Sequence, residues 1–273
     1  MNTNTSKKLV SRSLSSIWHP YTQMKHHEVF PMVALERGKG CWLYDYDGNR
    51  YLDSISSWWV NLFGHSNTRI NEAIKCQLEV LEHTMLAGFT HKPAVELSER
   101  LSDLTKHQLG HVFFASDGAS AIEIALKMSF HYWSNVGQKE KTEFVCLKNS
   151  YHGETLGALA VSDIALYKDI YGALLGKVNV IQGPDSRKDS DTQWSTHGCL
   201  KQLEDLFRAK AKTLSAMIIE PLVQGAAGMV MYSPDYVSGV RRLCSKYDIH
   251  FIADEIAVGF GRTGTMFACD QAK

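Results

Sequence analysis

The chain has 273 residues, 44% of them hydrophobic and 10% aromatic, which is ample for a buried core in one large domain or two medium ones. Its 29 basic residues balance its 29 acidic ones, so no long-range field favours nucleic acid or an anionic membrane surface, and a small-molecule ligand is the default. Cys41, Cys76, Cys146, Cys199, Cys244 and Cys269 are too dispersed for a zinc site and read as reduced thiols of a cytosolic protein, with no metal expected.

In chain order, the N-terminal 27 residues contain hydroxyls but no acid, the composition of an organellar transit peptide; Arg12 is their single arginine, and the cytoplasm is the preferred location. No apolar run approaches the roughly 18 to 20 residues of a membrane span. Residues 42–52 place two alternating runs around Asp47-Gly48, a strong hairpin signal. The expected organisation is an N-terminal segment, 1–60, carrying this hairpin as part of a small domain, followed by an incomplete large domain over 61–273.

Beyond the hairpin the pattern alternates. Helical periodicity covers 71–83, 93–104 with proline in its first turn, and 119–133, where Ile122, Ala125, Leu126, Ser129 and Trp133 share a face. Short apolar runs at 111–114, 144–147, 178–181, 216–219 and 249–253 have the length of strands buried on both faces. The expected fold is therefore α/β, a mostly parallel sheet flanked by helices. Ligands of such sheets gather beyond the carboxyl ends of the strands. The segments there, 115–120, 149–155, 220–228 and 254–264, are rich in glycine and polar groups.

Ser116-Asp117-Gly118-Ala119-Ser120 leads from a strand into a helix, where free N–H groups and the helix dipole suit a phosphate; an ordinary N-cap explains the same residues. In the 149–155 loop, Tyr151 could lie on a flat aromatic cofactor and His152 could serve as a base, or both could be packing residues. Asp254 at a strand end is a carboxylate that needs a partner: a protonated pyridine nitrogen, a helix end or a metal. Arg262 could clamp a substrate carboxylate or pair with a neighbouring acid. Trp58 and Trp59, adjacent, would point apart, one into the core and one into a pocket, unless both are core. The absence of G-x-G-x-x-G after a strand disfavours a simple nucleotide-binding fold.

Taken together, Ile218-Ile219-Glu220-Pro221, Gly225-Ala226-Ala227-Gly228, Ala253-Asp254-Glu255-Ile256 and Gly259-Phe260-Gly261-Arg262-Thr263-Gly264 resemble class III, fold-type I aminotransferases dependent on pyridoxal 5'-phosphate (PLP). His19-Pro20-Tyr21-Thr22, Ser57-Trp58-Trp59 and Tyr151-His152-Gly153-Glu154-Thr155 are similar to the biotin-synthesis branch rather than the ω-amino-acid or ornithine branches. The resemblance implies that Gly118 and Ala119 hold the cofactor phosphate, Tyr151 stacks on the ring and Asp254 pairs with its nitrogen. Tyr21, Trp58 and Arg262 would belong to the substrate pocket. It further implies S-adenosylmethionine as amino donor, 8-amino-7-oxononanoate as acceptor and a homodimer. The family's Schiff-base lysine is expected about thirty residues after the aspartate. Lys273 follows Asp254 too closely and lacks the matching lead-in, so the lysine is expected beyond the chain and the 273-residue polypeptide is expected to be inactive. A non-catalytic remnant of the fold is the rival reading.

Overall fold

The computed structural model describes residues 3–272, and Lys273 lies outside them. The polypeptide divides into two compact units, residues 1–95 and 96–273.

The first unit contains helix α1 (Thr3–Ser16), a three-stranded antiparallel sheet of β1 (Leu35–Lys39), β2 (Trp42–Asp45) and β3 (Arg50–Leu52), and helix α2 (Thr68–Leu78). The hairpin expected over 42–52 is present, with Trp42 opposite Leu52 and Tyr44 opposite Arg50. Buried Asp45 locks it: its carboxylate accepts the Asp47 and Asn49 amides, the Asn49 side chain and the Tyr51 hydroxyl at 2.8–3.0 Å. Those bonds, the Asn49 side chain's foremost, hold the carboxyl below its ordinary range. β1 carried no signal of its own, since Leu35-Glu36-Arg37-Gly38-Lys39 is mostly polar and its place is fixed by pairing with β2.

Two expectations in this unit are corrected. The helix read at 71–83 begins earlier, because the Asn67 side chain caps it by accepting the Ile70 amide at 3.2 Å, and it ends at Leu78. The Trp58-Trp59 pair lies on neither a strand nor a right-handed helix: Ser56, Ser57, Trp58 and Trp59 all have positive φ, between 48 and 67°. This left-handed turn costs roughly 1–2 kcal/mol per residue. Asp53 offsets part of that by accepting the Ser57 amide and hydroxyl at 2.8 and 2.7 Å while bonding His65 Nε2 at 2.8 Å.

The chain enters the second unit within α3 (Lys92–Leu104). There follow α4 (Gly118–Asn135), β4 (Glu143–Leu147), a short α5 (Leu156–Ala160), β5 (Val178–Ile181), α6 (Thr196–Lys210), β6 (Leu214–Ile219), a small pair β7 (Val223–Gln224) and β8 (Val230–Met231), α7 (Pro234–Lys246) and β9 (His250–Ala253). The main sheet has the order β5-β4-β6-β9, and every pairing in it is parallel.

Alternation along the strands sorts the core into two layers. Val145, Leu147, Met217 and Ile219 pack with Cys199, Leu203 and Phe207 of α6 and Tyr236, Val237 and Val240 of α7. Cys146 and Ile218 point to the other face, against Ile122 and Leu126 of α4 and Ala158 of α5. The stripe on α4 is as expected, with Ile122, Leu126, Ser129 and Trp133 all buried. β6 is buried at every position; β5, at the sheet edge, is half-buried.

One expected strand is not formed. Residues 111–114 pair with no strand among the described residues, and Phe113 and Phe114 are exposed; an apolar run alone does not make a strand without a ladder partner.

At the amino ends of these strands lies a polar cluster. Ser129 Oγ bonds Ser215 Oγ at 2.8 Å and His250 Nδ1 at 2.9 Å, the His250 ring stacks on Trp133, and buried Lys141 donates to the Leu214 and Asp248 carbonyls while facing the same indole. Burial pushes the Lys141 amine and the His250 ring below their ordinary values.

Phe207 is fully buried between sheet and helix. Phe207→Ala is expected to cost about 3–5 kcal/mol, read as a lower urea midpoint at unchanged slope. Exposed Phe113→Ala should stay within about 0.5 kcal/mol of the parent.

Candidate active site

Three segments meet at the carboxyl ends of the strands. Asp254 directly follows β9, where its amide donates to the Ile219 carbonyl at 2.8 Å and its side chain is 5% exposed. Its Oδ2 lies 2.7 Å from His152 Nδ1, and its Oδ1 accepts the Ile256 amide at 3.1 Å. An ionised carboxylate only accepts, so toward an ionised Asp254 the Nδ1 atom acts as the donor. The His152 ring is wholly buried, its Nε2 has no hydrogen-bond partner, and its backbone amide is tied to Ser162 Oγ at 2.8 Å.

The second segment is the loop after β4. Tyr151 donates its amide to Glu220 Oε1 at 3.0 Å and its hydroxyl to Glu154 Oε1 at 3.1 Å. Gly153 has φ +124°, and a Cβ there would lie 2.6 Å from the Ala119 Cβ, so the loop approaches the start of α4 as closely as glycine permits.

The third is that helix start. Asp117 is its N-cap, accepting the Ser120 amide at 2.8 Å and both the Ser116 and Ser120 hydroxyls, bonds that hold its carboxyl below the ordinary range. The ordinary capping role weighed for this motif is therefore filled by Asp117. A Cβ on Gly118 would meet Ile256 Cδ1 at 3.1 Å, two residues beyond Asp254. Gly118, Ala119, Tyr151 and Asp254 are thus linked through a short series of direct contacts.

Arg262 is exposed on the loop that follows, its amide bonded to the Gly259 carbonyl. Tyr21 and Trp58 belong to the first unit, where both are exposed and pack on each other with ring centroids 5.2 Å apart.

Glu220 was quoted in the sequence as part of a motif, without a role. It is 5% exposed and accepts the Tyr151 and Gly225 amides, at 3.0 and 2.9 Å. Burial raises its pKa from 4.5 to about 7, against the lowering effect of the His152 charge. The signal available for it is its position at the end of β6, the strand between the two that carry Tyr151 and Asp254. His152, considered as a base, is bonded to the aspartate through Nδ1. Among the described residues no group of three or more His, Cys, Asp or Glu could hold a metal, and no helix is long and apolar enough to cross a membrane.

Residues 22–273 match the family model for class-III aminotransferases. The chain belongs to the class-III aminotransferase family. It is 44% identical over 272 residues to the adenosylmethionine-8-amino-7-oxononanoate aminotransferase of Helicobacter pylori, an alignment covering 99% of this chain and 60% of that protein. The crystal structure of the same-named aminotransferase from Methanocaldococcus jannaschii superposes with a TM-score of 0.89 at 40% identity, over 97% of this chain and 58% of that one. A PLP-bound amine transaminase from an uncultivated Pseudomonas species gives a TM-score of 0.86 at 33% identity, over 93% and 58%. The chain thus spans about 60% of the length of such relatives.

Class-III aminotransferases use PLP, and the site of this family member fits that group. Asp45 in the first unit is saturated by four donors, whereas Asp254 has two, leaving acceptor capacity on a buried carboxylate beside an imidazole nitrogen with no partner. A cationic ring nitrogen is the kind of donor that completes such a site.

The Glu220 carboxyl gives this class-III domain a pH signature. A native pKa above the unfolded value means the folded state holds the proton more tightly, so its contribution to stability falls as pH rises from 4.5 towards about 7. Denaturation of the parent and of Glu220→Gln across that window should show the parent losing stability relative to the variant as pH rises. A difference independent of pH would contradict the assignment.

Proposed function

We propose that this chain is the cofactor-binding part of a PLP-dependent aminotransferase of biotin synthesis, taking the amino group of S-adenosylmethionine to convert 8-amino-7-oxononanoate into 7,8-diaminononanoate. The observation that carries the reading is the buried Asp254 carboxylate at a strand end, in hydrogen-bonded contact with the loop of Tyr151 and packed beside the turn at Gly118. The names of the relatives at 37–44% identity support the substrate pair over ω-amino-acid or ornithine alternatives.

When bound, PLP supplies an electron sink that stabilises negative charge developing at the substrate α-carbon. Asp254 would keep the proton on the pyridine nitrogen, on which that sink depends. Tyr151 would cover one ring face, its orientation fixed by the Glu220 bond to its amide. The amides of Gly118 and Ala119 would receive the phosphate at the positive end of α4. Tyr21, Trp58 and Arg262 would line the substrate pocket, Arg262 as a carboxylate clamp. The segment 1–60 would belong to a small domain and 61–273 to the large one. The working form would be a cytoplasmic homodimer. No lysine within residues 1–273 matches the Schiff-base position, so this polypeptide alone is expected to show negligible turnover.

The test uses the natural full-length protein. It should form diaminononanoate with S-adenosylmethionine as donor and not with ornithine, and Asp254→Asn should lower kcat roughly 100-fold or more, the order expected when a well-placed electrostatic partner is lost. Equal rates with ornithine would assign another branch of the family. Full activity in Asp254→Asn would remove the basis of the reading.

A further inference from the structure

Ser56, Ser57, Trp58 and Trp59, consecutive in the chain, have φ of 49, 48, 65 and 67°. Residues with a Cβ visit this left-handed region as single positions, and where several are held there together the surroundings must over-determine them. Tyr21 also has a positive φ, 57°, and its ring packs on Trp58 with centroids 5.2 Å apart and planes tilted by 37°. The two rings belong to residues that are 54% and 60% exposed. Core packing therefore does not account for the strain.

What holds the turn is Asp53. Its Oδ1 accepts the Ser57 amide at 2.8 Å, while its Oδ2 takes the Ser57 hydroxyl at 2.7 Å and His65 Nε2 at 2.8 Å. The carboxylate is only 6% exposed, and these bonds, the Ser57 amide's foremost, hold it below the ordinary carboxyl range. Asn61 Nδ2 can only donate, so the His65 ring accepts from it through Nδ1 at 3.3 Å and donates to an ionised Asp53 through Nε2. His65 is seated in turn on the hairpin sheet. It exchanges two backbone hydrogen bonds with Gly40, at 3.0 and 2.7 Å, and a Cβ on Gly38 would lie 2.6 Å from its Cγ. A continuous series of contacts thus runs from β1 through His65 and Asp53 to Ser57, and Trp58 follows directly.

We propose that Asp53 is a positioning residue of the substrate pocket: it fixes the left-handed turn that holds the Trp58 ring against Tyr21, with His65 tying Asp53 to the sheet. This rests on the reading that Tyr21 and Trp58 line that pocket. A preset aromatic pair binds the ground state and the transition state alike, so its misplacement raises KM and leaves kcat near the parent value.

The experiment uses the natural full-length protein with Asp53→Ala, Asp53→Asn, Trp58→Ala and the Asp53→Ala/Trp58→Ala pair. KM for S-adenosylmethionine should rise about 10-fold in Asp53→Ala, the upper end of what one aromatic contact contributes, with kcat within about 2-fold of the parent. Asparagine still accepts the Ser57 amide and should keep KM within about 3-fold. The double variant should be no worse than Trp58→Ala alone, because a residue that acts only through the ring then has nothing to place. Labelling with 5-fluorotryptophan reads the ring itself in the unliganded protein. The Trp58 resonance, assigned by its loss in Trp58→Phe, should move in Asp53→Ala as the ring leaves Tyr21, and stay in place in Asp53→Asn. Should circular dichroism melting show that Asp53→Ala does not fold, Ser57→Ala removes one of the three bonds and should move the same resonance in the same direction.

An unmoved Trp58 resonance in the folded variant would overturn the proposal, as would a loss of kcat at unchanged KM or additive effects in the double variant. If Trp58→Ala itself leaves KM at the parent value, the pocket reading fails and the proposal with it. The fluorine spectrum separates that failure from a turn that Asp53 does not hold.

Discussion

A single hydrogen bond, from His152 Nδ1 to Asp254 Oδ2 across 102 residues of sequence, joins the loop after β4 to the end of β9. The strands themselves are not neighbours, because β6 lies between them, so the contact is made over the top of the sheet rather than within it. Its existence depends on all four strands running the same way, which brings their carboxyl ends to one edge. Glu220, at the end of the intervening β6, fills the space between and holds the Tyr151 amide. The sheet's order thus decides which three loops can cooperate.

Much of this was legible in residue order. The stripe Ile122, Leu126, Ser129, Trp133 predicted the inward face of α4, and short apolar runs gave all four strands of the main sheet. The strand-end rule then pointed to Tyr151 and Asp254, while it reached Gly118 only through an expected strand at 111–114 that is not formed. Where the reading failed, structure was decided by a partner rather than by local pattern. Residues 111–114 have strand composition but no strand to pair with among the described residues, while the polar Leu35–Lys39 segment is a strand because β2 lies beside it. The left-handed turn at Ser56–Trp59 depends on Asp53 and His65, distant in sequence from any turn signature. Glu220 was invisible as a perturbed acid because its pKa follows from burial, which no local spacing encodes.

Carboxylates are used in two ways in this chain. Asp45 and Asp53 take donors from residues two to twelve positions away and fasten a hairpin and a turn. Both are local staples, assembled as soon as their segment folds. Asp254 and Glu220 each add to a nearby donor, the Ile256 and Gly225 amides, one from a distant loop, His152 and the Tyr151 amide. Their long-range donors are in place only where the sheet brings the loops together. The buried thiols show the same environment from the apolar side: burial pushes Cys146, Cys244 and Cys269 up to about 12, which leaves them without thiolate character near neutral pH.

The opposite rim of the sheet holds Lys141, Trp133, Ser129, Ser215 and His250, knitted together at the strands' amino ends. Each strand thereby spans two regions under separate demands, one bound to chemistry and the other to cohesion. A protein engineer could alter the amino rim for heat tolerance without replacing a residue of the opposite rim, provided the side-chain volumes are kept so that the packed strands between carry no strain. An evolving lineage has the same freedom, and can retune its robustness from one rim while its reaction is selected at the other.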